Sequence, residues 1–183
     1  MRIKKIVNTL QMKNLVYVVL ALLMFSSCQQ QKIGFVDNGI VINDFEEKKE
    51  VEARYQTETE NFRKRTDSIG QAFQFEVQKT QARAKRSSQK KAQEMMGALQ
   101  QQSKALEQKI QLENQQLQLT FQAEIDSVIV KVKDFVKDYG KTNGYTFILG
   151  TSDAAATVMY GTEANDLTQT ILDALNAEYK NEE

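Results

Sequence analysis

Between Asp44 and Tyr139 the large apolar residues recur at intervals that suit one face of a helix. In the first half they fall at Val51, Tyr55, Phe62, Ile69, Phe73 and Val77, in steps of four or seven. In the second half they fall at Leu106, Ile110, Leu117, Phe121, Ile125, Val128, Val132, Phe135 and Tyr139, in steps of three, four or seven. Stripes this narrow, repeating near 3.5 residues, predict two helices that pack along each other as a coiled coil, because neither has apolar surface to offer elsewhere. Residues 78–94 contain only alanine as an apolar side chain, and Ser87 with Ser88 interrupts the strong helix formers. A hairpin turn near Arg86 to Lys90 is therefore expected. Each arm would run for about 45 residues, or about 65–70 Å at 1.5 Å per residue.

The flanking pattern differs. Lys32 to Asp37 (KIGFVD) and Tyr145 to Leu149 (YTFIL) read as short strands, and Val158 to Tyr160 (VMY) reads as a third. Gly140 stands where a helix is expected to stop. Asp166 or Thr168 can cap a last helix whose apolar face is Leu167, Ile171, Leu172 and Leu175. The predicted architecture is mainly α with a small β body. A long antiparallel helical hairpin over 44–139 stands on a short-stranded base formed by 32–43 and 140–183. Three short strands and one helix bury too little for an independent core, so self-association is expected to complete the base.

The first 28 residues follow another logic. Arg2, Lys4, Lys5 and Lys13 precede an unbroken apolar run from Leu15 to Phe25, which ends in Ser26, Ser27 and Cys28. The run covers about half of the roughly 20 residues that a membrane-spanning helix needs, so it reads as a secretion signal over residues 1–27. Small residues before a lone cysteine resemble the bacterial lipoprotein box, with Phe25 where leucine is more usual. The resemblance implies cleavage before Cys28 and its acylation, leaving residues 28–31 as a tether. An ordinary cleavable signal and an uncleaved anchor are the alternatives. By analogy with other lipoproteins, the absence of acidic residues at Gln29 to Lys32 points to a periplasm-facing anchor in the outer membrane.

Composition narrows the chemistry. The chain has no proline, which leaves very long helices uninterrupted, and no histidine or tryptophan. With Cys28 as its single cysteine, disulfide frameworks, His/Cys metal sites and histidine-dependent triads are excluded within one chain. No enzymatic activity, cofactor or metal is expected. Gly140, Lys141 and Thr142 spell the end of a phosphate-binding loop. The earlier glycine that such a loop requires is replaced by Phe135, and the segment follows a helix rather than a strand.

The order of these elements is similar to the Skp, or OmpH-like, family of periplasmic chaperones. The resemblance rests on KIGFVD at 32–37, the Gln/Lys/Glu-rich hairpin, VKDYGKTNGYTFIL at 136–149, VMYG at 158–161 and DLTQTILDALN at 166–176. It implies a homotrimer whose strands build a small β-barrel body carrying three helical arms. It also implies ATP-independent holding of unfolded outer-membrane or envelope proteins between those arms. Two departures stand out, because well-studied members are soluble and strongly basic. This chain carries the lipoprotein signature, and without Arg2, Lys4, Lys5 and Lys13 it has 20 basic against 24 acidic residues.

Charge is also unevenly placed. Residues 79–109 carry a local +6, with Arg83, Lys85, Arg86, Lys90 and Lys91 at the expected tip, whereas the segment from Gly140 onward carries −5. Basic tips would draw acidic unfolded chains and raise encounter rates. The same side chains also serve simply to solubilise a helix turn. Phe75, which lies off the predicted seam, and the adaptable Met95 and Met96 are the candidate apolar contacts for a client. A lipid-anchored coiled-coil adaptor of the envelope is the alternative function. Nucleic-acid binding is disfavoured by the export signal and the net negative charge of the mature chain.

Overall fold

A computed structural model describes residues 31–152 and 155–182; the expected signal segment and Cys28 lie outside these residues. Strand β1 (Ile33–Asp37) leads directly into a short helix α1 (Asn38–Asp44). Asp37 caps that helix by accepting a hydrogen bond from the Ile40 amide at 3.0 Å. Two long helices follow, α2 (Glu46–Ala84) and α3 (Gln89–Thr142). At 1.5 Å per residue they extend about 58 Å and about 80 Å. The turn between them occupies residues 85–88. Strand β2 (Phe147–Thr151), a single 3-10 turn (Glu163–Asn165) and helix α4 (Thr168–Glu182) complete the chain.

The hairpin seam is the one the periodicity predicts. Tyr55 of α2 and Phe121 of α3 stack with ring centroids 4.1 Å apart, and Val51, Val128 and Val132 are buried where the arms enter the base. Ion pairs tie the base-proximal half across the seam: Lys131 to Glu47 at 2.8 Å, Arg54 to Glu124 at 2.7 Å and Arg65 to Glu113 at 2.7 Å. The hydrogen bond from Arg54 to Glu124, followed by their attraction, holds the guanidinium pKa above its ordinary value. Toward the turn the last buried side chains are Thr80 and Leu99. Beyond them helical hydrogen bonds carry the structure with little burial to support them, which leaves the distal arms marginal.

Gly70 and Gly97 interrupt these arms, and a Cβ at either position meets nothing within 4 Å. Alanine at each site is therefore expected to stabilise the arm by up to about 1 kcal/mol through helix propensity. Amide exchange should slow in the distal arm and stay unchanged in the base. Faster exchange in either variant would mean that the glycines accommodate a packing need of the assembled protein.

The base core gathers Val36, Val41, Phe45, Leu167, Ile171, Leu172 and Leu175. β1 and β2 run parallel, with Ile33 opposite Phe147 and Asp37 opposite Thr151. The Asp-Leu-Thr sequence at 166–168 pins α4 to β1. Asp166 accepts hydrogen bonds from the Thr168 amide and hydroxyl, the Thr168 hydroxyl accepts from the Asp37 amide, and the Leu167 amide donates to the Phe35 carbonyl.

Three expectations need correction. Val158–Tyr160 is not a strand. β2 pairs only with β1 and keeps its other edge open, and Val158–Tyr160 joins neither strand among the described residues. The strand expected at Tyr145 to Leu149 forms instead at Phe147–Thr151, since the Tyr145 amide closes the end of α3 on the Gly140 carbonyl. Helix α3 also runs past Gly140 to Thr142, and the left-handed residue that ends it is Gly144, at φ +69°. Gly140 has a packing role instead, since a Cβ there would press to 3.2 Å from the Ile148 side chain.

Candidate functional site

The proposed contact residues occupy one end of the molecule. Arg83 lies in the last turn of α2, Lys85 and Arg86 in the connecting turn, and Lys90 and Lys91 in the first turn of α3. All five are exposed. Two consecutive helix ends and a four-residue turn thus concentrate five cations at the tip. Ser87 braces the turn by donating its hydroxyl to the Arg83 carbonyl at 2.9 Å. Met95 and Met96 follow on α3, the first half-buried and the second 41% exposed. Phe75 sits farther back on α2, roughly 14 Å from the turn by helix rise, and is 68% exposed. Cys28 lies outside the described residues.

The geometry adds a surface that the sequence reading overlooked. Leu112, Leu119 and Val130 are 66%, 57% and 54% exposed on α3. Their spacing places them near one another in angle around the helix, on a face turned away from the seam residues Leu117, Phe121 and Val128. Residues 114–123 between Glu113 and Glu124 carry no charge at all. The middle of the arm therefore presents glutamine and leucine to solvent, while its tip presents lysine and arginine. The interval of seven between Leu112 and Leu119 is visible in the sequence, beside a longer and stronger seam stripe on the same helix. Shallow grooves also open beside the seam, one lined by Phe62, Leu117 and the Arg65–Glu113 pair and another by Ile69, Phe73 and Leu106.

A second uncovered surface lies in the base. Residues directly opposite in a parallel pair project to the same side, so Ile33 with Phe147 and Phe35 with Leu149 share one face of the two-stranded sheet. Ile33, Phe147 and Leu149 are all exposed, and among the described residues β2 pairs only with β1. That leaves an apolar sheet face and an open strand edge together. Met159 and Tyr160, 88% and 85% exposed, extend from the same base.

A family model described as outer membrane protein (OmpH-like) matches residues 32–175, which takes in β1, both arms, β2 and most of α4. The chain belongs to the OmpH-like family. The match begins after Cys28, so residues 1–31 lie outside it. This OmpH-like chain is also similar in fold to the crystal structure of a Caulobacter crescentus protein described as an OmpH-like outer membrane chaperone. The TM-score is 0.69 at 18% identity, over 81% of this chain and 86% of that one. A search of curated proteins gave no match. Family membership accounts for the hairpin on a base, while the distribution of charge and exposed apolar residues along the arms belongs to this OmpH-like sequence.

Proposed function

We propose that this OmpH-like protein is an ATP-independent holdase of the periplasm, which takes unfolded outer-membrane or envelope proteins between helical arms. The observation that carries the reading is the set of large apolar side chains left exposed on long, otherwise polar arms: Phe75, Met96, Leu112, Leu119 and Val130. The seam of the two helices is filled without these five side chains, so they stay open to a client, and each that an unfolded client fully buries contributes about 1.5–3 kcal/mol. Marginal distal helices suit clients of different size, since the arms can bend without breaking a core. The cations at the tip raise the encounter rate with acidic stretches, and the effect weakens as salt screens them.

The uncovered sheet face and open edge of β2 support assembly as a homotrimer, in which copies of the base cover one another and the arms enclose a shared cavity. Acylation of Cys28 holds the assembly to the outer membrane; several acyl chains anchor far more firmly than one. The proposed binding requires no cofactor.

The mature chain from Gln29 onward, purified without lipid, is expected to suppress aggregation of a urea-unfolded outer-membrane barrel protein in the absence of nucleotide. Replacing Leu112, Leu119 and Val130 together with serine should weaken client holding by tenfold or more while leaving the helical content intact. That factor corresponds to about 1.4 kcal/mol, less than one fully buried leucine. Failure of the parent protein at several-fold molar excess, together with capture of a single folded partner in fixed ratio, would favour an envelope adaptor instead.

A further inference from the structure

The described chain enters the base at the pole farthest from the tips. The Lys32 carbonyl accepts a hydrogen bond from the Thr146 amide at 2.7 Å. Its ammonium donates to the Asn143 carbonyl at 3.0 Å and lies 4.0 Å from the centre of the Tyr145 ring. Lys32 is thereby held against the turn that follows α3. Lys131 meets Glu47 at the root of the arms, and Asn143 lies beyond it along α3 by about 18 Å. From the same residue to the connecting turn at 85–88 the helix measures about 80 Å. The tether is short: Cys28 to Lys32 reaches at most about 14 Å when fully extended.

We infer that the pole formed by Lys32, Lys141 and the turn at Asn143–Gly144 is the membrane-facing surface of this protein, and that its arms project away from the bilayer. The inference rests on the acylation of Cys28 proposed above. Its partner is the phospholipid headgroup layer, held against this pole by the short tether rather than by free cations, since Asn143 and Tyr145 engage the Lys32 ammonium and Asp138 pairs with that of Lys141 at 2.9 Å. In a threefold assembly the three tethers leave from equivalent points around one axis. With about 14 Å of reach each, all three meet the bilayer only if that axis stands close to the membrane normal. The tip cations are the competing attraction, but screening over about 8 Å at physiological ionic strength confines their pull to direct contact. The tether acts continuously. Basic tips are then carried roughly 80 Å into the periplasm, where chains crossing from the opposite membrane are met first.

Acylation occupies Cys28 and leaves the lipidated chain without another cysteine, so an introduced thiol is unique. Full-length lipidated protein with Thr142→Cys at the pole or Ser87→Cys at the tip is labelled with a donor fluorophore. It is then reconstituted into phosphatidylethanolamine–phosphatidylglycerol vesicles that carry a headgroup acceptor. Strong transfer from position 142 and background transfer from position 87 is the expected result. The exposed Thr146, replaced as Thr146→Cys, provides a second pole probe should Thr142→Cys fold poorly. Equal transfer from both ends, or stronger transfer from the tip, overturns the inference. Intact mass and fractionation of the parent and of Cys28→Ala separate the two ideas. Unacylated parent protein in the soluble fraction defeats both the anchor and the orientation, whereas acylated protein with a membrane-bound tip defeats the orientation alone.

Discussion

Phe45→Ala is expected to cost about 3–5 kcal/mol of stability, a large share of the about 5–15 kcal/mol available to a domain of this kind. Phe45 has no exposed surface and sits at the single-residue joint between α1 and α2. Its ring meets Tyr179 of α4 edge-on at 5.7 Å, its amide donates to the Val41 carbonyl, and its carbonyl accepts from the Lys49 amide. The neighbouring Glu46 amide donates to the Asn176 side chain, and the Glu46 carboxylate pairs with Lys180 at 3.0 Å. Removing the ring empties the place where three helices converge, and the exposed polar contacts around it are too weak to hold that junction closed. Urea titration followed by circular dichroism should show an early transition of the base. A loss below about 1 kcal/mol would mean that the surrounding side chains collapse into the space, which contradicts a tightly packed joint.

Phe147→Asp combined with Leu149→Asp is expected to dissociate the assembly without unfolding the subunit. Both side chains lie on the open sheet face and are exposed within the described chain, so the folded monomer tolerates the charges. In an assembled base the same positions would be covered, and each buried, unpaired carboxylate would carry a desolvation penalty that association cannot offset. Native mass measurement at micromolar concentration should find a trimer for the parent and a monomer for the double variant, with similar helical content. An unchanged trimer would place the subunit interface elsewhere, and a monomeric parent would remove self-association from the account. Aggregation suppression should fall with dissociation, because separated arms no longer enclose a cavity.

These two experiments probe features that differ in how far they could be read from residues alone. The seam of the hairpin was legible because the packing of two long helices is dictated by a one-dimensional repeat. Val51, Tyr55, Phe121, Val128 and Val132 announce their face by spacing, and the structure puts Tyr55 on Phe121. The strands expected at 32–37 and 145–149, which form at 33–37 and 147–151, were legible in type, since β-branched and aromatic runs beside glycine favour extended backbone. Their parallel pairing was not, because register depends on how far α3 descends before the chain turns. Val158–Tyr160 has the composition of a strand yet joins neither β1 nor the open edge of β2 in the described chain. Strand propensity is a weak preference that tertiary context overrides.

The candidate site divides in the same way. Tip cations could be placed from sequence because a turn without large apolar residues must lie outside any core. Leu112, Leu119 and Val130 could not, since exposure of a leucine is decided by which face its neighbour occupies. Gly140 illustrates the point at a single residue: glycine near a helix end suggested termination, whereas the approach of Ile148 required the missing side chain and Gly144 supplied the left-handed turn. Sequence by itself determined the two paired rods, the character of the base and the concentration of positive charge at the tips, because these follow from periodicity and composition along the chain. Only tertiary structure decided which apolar side chains stay uncovered, how the strands pair and at which pole the chain enters, because the first depends on cross-seam pairs such as Arg65–Glu113 and Arg54–Glu124, 48 and 70 positions apart, and the other two on pairs more than a hundred apart.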